Sequence, residues 1–273
     1  MNRRYRGDGL ERMSAARMTG LYLRVNAMNE LQYRANFFVQ LFESALALGT
    51  GLIVLALVFG RTARLGGWSH SQLLAVMGVY TLVGGVVSTF VQPNMQKLME
   101  DIRLGTLDYT LTKPADAQVL VSVRHLYLWH ALDIVLGAGV VAVALTQLRS
   151  TMGVGQAVAF AATLVLGMVT IYCFWLAITT AVFWVVRLDE LTNLFEGVYR
   201  SGQYPVGIYP TWLRFGLTFL VPIAFAVTIP AQAITGRLAG RTLGLAVLVT
   251  VVAFAGSRWF FRRGVRRYSG ASS

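Results

Sequence analysis

Two pairs of charged side chains have spacings that place each pair on one face of a helix. His130 and Asp133 are three residues apart, and Glu196 and Arg200 are four apart in the order that favours an ion pair. Both pairs lie in or beside apolar stretches, where a charge must be paired or functional. The first pair could relay a proton or form a structural hydrogen bond. A stand-alone ion-coupled carrier using these four residues is therefore one hypothesis.

A further carboxylate, Glu43, occurs early in the first apolar segment. Acidic groups near the membrane surface are often solvated or paired with arginine, whereas acids deep in the membrane are candidates for substrate binding. Pairing with Arg34 and a role in transport both remain open for this residue.

Motifs for other chemistries are absent from the sequence. A phosphate-binding loop of the form GxxxxGK[ST] needs a lysine, and the only two lysines, Lys97 and Lys113, lack that context. The sequence has no HExxH, GxSxG or Cys/His cluster, and Cys173 is its single cysteine. We therefore predict no catalytic residue, no metal site and no cofactor bound by this chain itself.

The composition is that of an integral membrane protein. Of the 273 residues, 56% are hydrophobic and 13% are charged, about half the charged content of soluble domains. The net charge of +12 raises the possibility of nucleic-acid binding. The basic residues cluster at the chain ends beside hydrophobic segments, however, so we expect a lipid bilayer as partner and no nucleic acid.

Prolines interrupt the apolar stretch between Gln203 and Gly236. It contains four of the six prolines, and Trp212 lies close to one of them. Each proline removes a backbone donor, so a broken segment in a membrane must be covered by other helices or by water. We predict that residues 211–235 enter the membrane and return to the same side. In the alternative topology, these residues span the membrane and the helix at 190–208 stays in the cytoplasm. The proposed residues of this re-entrant region are Pro205, Pro210, Trp212, Pro222 and Pro230.

Apolar segments of membrane-spanning length predict an all-α integral membrane fold with six transmembrane helices. Residues 1–36 are expected to form a cytoplasmic tail and an amphipathic interfacial helix, and residues 37–273 a single transmembrane domain. The predicted spans are 37–59, 73–91, 117–148, 156–186, 190–208 and 238–261.

A short amphipathic helix is predicted between spans two and three. Pro93 suits its start and Gly105 its end. Its apolar face carries Met95, Leu98, Met99 and Ile102 at spacings of three and four. Such a face could dock a partner protein, or it could lie on the membrane or against the first helix.

The order of these elements resembles that of ABC type-2 exporter permeases. The resemblance rests on residues 204–227, which contain Tyr204-Pro205, Tyr209-Pro210, Trp212-Leu213 and Val221-Pro222. The segments 29–37, 105–108 and 113–116 resemble small permeases of this family that accompany a separate ATPase.

This resemblance implies an export subunit that forms the translocation path. Its partners would be two copies of an ATPase subunit, which bind ATP, and a second permease that is identical or a sister. The helix at 92–105 would then be the coupling helix that contacts the ATPase. Independently of the resemblance, the spacing of Glu196 and Arg200 predicts a polar pair within the bundle or along the translocation path, which makes the helix at 190–208 more polar than is usual in the family.

The distribution of basic residues predicts the orientation. With both termini in the cytoplasm, 17 Lys and Arg lie on the cytoplasmic side and six outside. This asymmetry agrees with the positive-inside rule. We therefore expect a multi-pass protein of the plasma membrane, the inner membrane in bacteria.

Overall fold

The computed structural model describes residues 34–113, 116–148, 153–184, 197–220 and 222–268. The predicted interfacial helix before residue 34, Glu196 and the start of the predicted fifth span lie outside these ranges. Within them the chain is helical and forms no β-strand.

Ten α-helices lie wholly within the described ranges, and residues 197–199 are helical as well. In order the ten helices are α1 (Arg34–Phe59), α2 (His70–Val86), α3 (Gln92–Leu104), α4 (Asp108–Leu111), α5 (Ala117–Ser122), α6 (Ala131–Gln147), α7 (Val154–Ala181), α8 (Thr211–Phe215), α9 (Ile229–Ile234) and α10 (Gly240–Val265).

Five helical stretches in the described ranges are long and apolar enough to cross a membrane, by length and composition. They contain α1, α2 with α3, α6, α7 and α10. We call the end of the bundle where residues 60–69 join α1 to α2 the loop end, and the opposite end the α3 end. Ser71 hydrogen-bonds Gln147 at the loop end, so α2 and α6 are antiparallel neighbours.

Glycines bring α2 and α6 into backbone contact. A Cβ atom on Gly78 would lie 2.8 Å from the Val141 nitrogen, and one on Gly85 would lie 2.6 Å from the Ile134 nitrogen. A Cβ on Gly137 would collide with the backbone of Leu82. Small residues permit this close approach, which is a common way for helices to associate in membranes.

The predicted amphipathic helix exists, and it continues α2. A π-helical turn at Val87–Val91 joins α2 to α3, so residues His70–Leu104 form one 35-residue rod. Pro93 occupies the first turn of α3, and Gly105, with a φ of 70°, ends this helix. Only glycine adopts this left-handed conformation without strain.

The predicted span at 117–148 is wrong as a single helix. The side chain of Asp116 does cap α5, but α5 ends at Ser122 and the next long helix starts near Leu128. The Asn94 side-chain oxygen accepts hydrogen bonds from the Arg124 and His125 backbone nitrogens. These contacts satisfy donors that the break would otherwise leave unpaired.

Helices α7 and α10 run parallel to each other. Thr170 and Thr250 hydroxyls are 2.9 Å apart near their centres, and Gly264 lies against Thr180 at the α3 end. Two parallel helices require the intervening chain to return from the α3 end to the loop end.

The proline-rich segment begins and ends at the loop end. Ile208 packs against Gly66, and Arg237 donates a 2.6 Å hydrogen bond to the Gly67 carbonyl. Between them, Ala226 packs against Gly167 in the middle of α7. Ala226 therefore lies deeper in the bundle than Ile208 and Arg237 do. Part of the predicted span 190–208 is also irregular, since residues 200–208 contain two short 3₁₀ turns.

Candidate functional site

A cavity of about 630 Å³ lies between α1, α2 and residues 199–204. Small side chains and backbone form part of its surface, and Trp175 of α7 contributes an aromatic wall. Its polar lining includes Glu43, Ser44, Thr50, Tyr80, Thr81, Ser88, Gln92, Asp133, Arg200, Gln203 and Tyr204.

Three charged residues that the sequence places far apart line this one cavity. Glu43 comes from α1, Asp133 from α6 and Arg200 from the 3₁₀ turn after residue 199. The Gln40 side-chain nitrogen donates a 3.3 Å hydrogen bond to Asp133. His130 is 3.9 Å from the same carboxylate, beyond hydrogen-bonding distance. The predicted relay pair is therefore adjacent, but it is not directly hydrogen-bonded.

Two stacked tyrosines, Tyr80 and Tyr199, line the cavity. The rings of Tyr80 and Tyr199 stack with centroids 4.9 Å apart, and the Tyr199 hydroxyl donates to the Tyr80 carbonyl. Residues 199–204 also lie close to the proline-rich segment at Gly202, because a Cβ atom on this glycine would lie only 2.6 Å from the Ile223 side chain. The broken segment thereby supports the chain that carries Arg200.

The prolines of the broken segment divide into two sets. Pro205, Pro222 and Pro230 are buried, whereas Pro210 and Trp212 are exposed at the loop end. The Val206 nitrogen, next to the first of these prolines, donates to the Thr228 hydroxyl. Protein groups thus cover the inner part of the segment, as a broken helix in a membrane requires.

A family profile for ABC-2 family transporter proteins matches residues 45–272, most of the chain. The chain belongs to the ABC-2 transporter family. The match includes all five membrane-length helices, apart from the first half of α1. This ABC-2 chain is therefore a multi-pass membrane permease. No curated protein and no solved structure matches it.

In this ABC-2 permease, the side chains predicted to dock an ATPase lie inside the chain. Met95 and Leu98 are fully buried, Met99 is 7% exposed, and Ile102 packs against the same core. The apolar face of α3 is therefore covered by its own chain. Leu104 and Tyr109, which are 58% and 77% exposed, are the large apolar residues that face outward near the end of α3.

A buried ion pair fixes α3 to the interrupted third span. The Arg124 guanidinium is 2.8 Å from the Asp101 carboxylate, and it also donates to the Thr110 hydroxyl. Lys97 lies 3.4 Å from the same carboxylate. Burial, followed by repulsion from Arg124 and Lys97, lowers the pKa of the adjacent His125. The neutral form of the His125 imidazole is thus favoured beside the positive charges of Arg124 and Lys97.

Sequence reasoning missed Asn94, Asp101 and Arg124 as positioning residues. Asp101 offered a signal, since it falls three residues after Leu98 on the apolar face of α3. A carboxylate on a buried face needs a cationic partner. The sequence offers several arginines, and the break that brings Arg124 to this position was not predicted.

A second polar network joins α5 to α7 and α10. The Arg258 guanidinium is 2.8 Å from Asp116, and the Tyr172 hydroxyl contacts Ser122 at 2.7 Å. Partial burial acts to raise the pKa of Asp116, but the hydrogen bonds from Arg258 and the Val119 nitrogen outweigh it and lower that pKa. The ion pair is therefore formed at neutral pH, and its stabilisation is lost only as acidification protonates this carboxylate below its usual range.

Three or more metal-binding side chains do not cluster anywhere in the ranges that the structure describes.

Proposed function

We propose that this chain is the permease subunit of an ABC exporter. The cavity between α1 and α2 forms part of its translocation path, and a separate ATPase subunit binds and hydrolyses ATP. The observation that carries the proposal is the placement of Glu43, Asp133 and Arg200 around one cavity in an ABC-2 family chain. Charged groups within membrane spans mark substrate pathways when they face such a space.

Helix α1 supports a second permease as partner. Glu43 and Thr50 are exposed on α1, although both belong to a membrane-length helix. A carboxylate facing lipid is costly, whereas one facing a shared aqueous path is not. We therefore propose that two permeases, identical or sisters, face each other across α1 and assemble with two ATPase subunits.

We propose six crossings, with the α3 end and both termini in the cytoplasm. The parallel directions of α7 and α10 support a crossing between residues 182 and 208 in addition to the five long helices. The arginines at the end of α10 support this orientation, which places the protein in the plasma membrane, the inner membrane in bacteria.

The proposed ATPase contact uses the outward residues at the end of α3. Leu104→Asp is expected to reduce copurification of the ATPase subunit with a tagged permease by at least about tenfold. The reason is that the new carboxylate would be buried in an apolar contact without a cationic partner. The measurement is the amount of ATPase retained per permease after purification from membranes.

Thr62→Asp provides the matched control, since it adds the same charge to an exposed residue at the loop end. Retention of the ATPase should be unchanged in this variant. Equal retention in wild type and Leu104→Asp would refute the contact. If no ATPase copurifies with the wild-type permease, the export proposal itself fails.

The proposed re-entry of residues 211–235 predicts that Tyr209 and Thr235 are accessible from the same side. With the buried Cys173 replaced by Ser, single cysteines at these two positions should both react with an impermeant thiol reagent on intact cells. Their common location at the loop end is the physical reason. Reaction at Tyr209 only after lysis would show that residues 211–235 span the membrane instead.

A further inference from the structure

A second cleft, of about 360 Å³, lies at the α3 end between α5 and the last turns of α10. It is separate from the proposed translocation cavity and shares no lining residue with it. Its walls are formed by Asp116, Ala117 and Gln118 on one side and by Phe261, Arg262, Val265 and Arg266 on the other.

The cleft carries surplus positive charge. Asp116, the acidic residue of its lining, is already paired with Arg258 at 2.8 Å. Arg262 and Arg266 are both exposed and lie four residues apart, the first in the last turn of α10 and the second at its C-cap, whose nitrogen donates to the Arg262 carbonyl. Side chains at this spacing are neighbours on one helix face, so two guanidinium groups can converge on one anion.

The same face of α10 changes from apolar to cationic within about one turn. On the loop-end side of this change the exposed residues are Val247, Val251 and Phe254. Arginines follow toward the α3 end, at positions 258, 262 and 266. Spacings of three and four keep all six residues on one face. Trp259, which is 64% exposed, lies at the level of the transition. Tryptophan favours the boundary between hydrocarbon and headgroups.

We propose that this cleft binds the headgroup of an anionic phospholipid. Arg262 and Arg266 contact the phosphate, the half-buried Val265 packs against the glycerol region, and an acyl chain lies along the apolar part of the same face. Charge complementarity and the apolar continuation of the binding surface together favour a lipid over a soluble anion.

Binding at this site has a structural consequence, because the cleft is bounded by two elements joined through the Asp116–Arg258 pair. An anion between Arg262 and Arg266 reduces the repulsion among the arginines of α10. The lipid therefore stabilises the contact between α5 and α10. Anionic phospholipid should accordingly raise the melting temperature of the permease more than a zwitterionic lipid does.

Helix α10 provides a matched control pair for a test. Arg263 and Arg267 are also exposed and four residues apart, but they do not line the cleft, and Arg263 lies 5.9 Å from the Trp259 ring. Removing either pair removes two positive charges from the same helix end. A general attraction to the membrane surface would respond equally to both changes.

The experiment compares the full-length permease with the double variants Arg262→Gln/Arg266→Gln and Arg263→Gln/Arg267→Gln. Native mass spectrometry measures binding of phosphatidylglycerol and phosphatidylcholine to the detergent-solubilised proteins. We expect one tightly bound phosphatidylglycerol on wild type, and its affinity should fall about 30-fold in the cleft variant. The control pair should change this affinity less than about threefold.

Several results would overturn the proposal. Equal losses in both variants would indicate general surface attraction, and unchanged binding in both would remove the site. Displacement of phosphatidylglycerol by millimolar inorganic phosphate would indicate a soluble anion as ligand. Loss of a copurifying ATPase with unchanged lipid binding would assign the cleft to a protein contact. If the cleft variant does not fold, Arg262→Lys/Arg266→Lys should keep the charge and retain binding within about threefold of wild type.

Discussion

Gly137→Ala is expected to lower the free energy of unfolding of this permease by about 3 kcal/mol, because the added methyl group collides with the backbone of Leu82. A backbone clash cannot be relieved by a side-chain rotation, so α2 and α6 must separate. Their other close contacts, at Gly78 and Gly85, would loosen at the same time. Thermal unfolding of the purified protein should show a melting temperature lower by about 6–12 °C.

Gly139→Ala is the matched control on the same helix. A Cβ at this position would meet no heavy atom within 4 Å. Because alanine favours helix more than glycine does, this variant should be neutral or more stable by up to about 1 kcal/mol. Equal melting temperatures for the two variants would show that the close approach of α2 and α6 does not contribute to stability.

Arg124→Met should be comparably damaging, since it leaves the Asp101 carboxylate buried without its closest cationic partner. The Asp101 side chain is 6% exposed, so removing one member of the pair is expected to cost about 3 kcal/mol. Lys97, at 3.4 Å, limits the loss by keeping one positive charge nearby. Thermal unfolding and the yield of folded protein measure this effect.

The double variant Asp101→Asn/Arg124→Met should recover most of the lost stability, because it removes the unpaired charge together with its partner. Glu100→Gln is a control on the same helix. Its pair with Lys97 is solvent-exposed, so this change should cost less than about 1 kcal/mol. A double variant as unstable as Arg124→Met alone would contradict the electrostatic explanation.

The sequence predicted the helical class and most of the long helices because apolar length is a local property. It also predicted the start of α3 at Pro93 and its end at Gly105, since proline and glycine have strong local preferences. The family match over residues 45–272 confirms the resemblance inferred from the motifs.

Features that depend on distant partners were not predictable in the same way. An apolar stripe on a helix has the same sequence pattern whether the same chain or another protein covers it. In this structure the same chain covers the stripe of Met95, Leu98 and Met99. The break after Ser122 depends on Asn94, about thirty residues earlier. The cavity required Glu43, Asp133 and Arg200 to meet, although 157 positions separate the first from the last.

Because α2 continues into α3 without a break, the second span and the amphipathic helix after it form one continuous helical element. His70–Leu104 contains 35 residues, so the rod is about 52 Å long at 1.5 Å per residue. A force applied at Leu104 by an engaged ATPase would act on the α3 part of this element, and Tyr80 in the cavity wall lies on the α2 part. The π-helical turn at Val87–Val91 lies between these two parts. In the proposed complex with an ATPase, a displacement of Leu104 would therefore reach the cavity wall without an intervening loop.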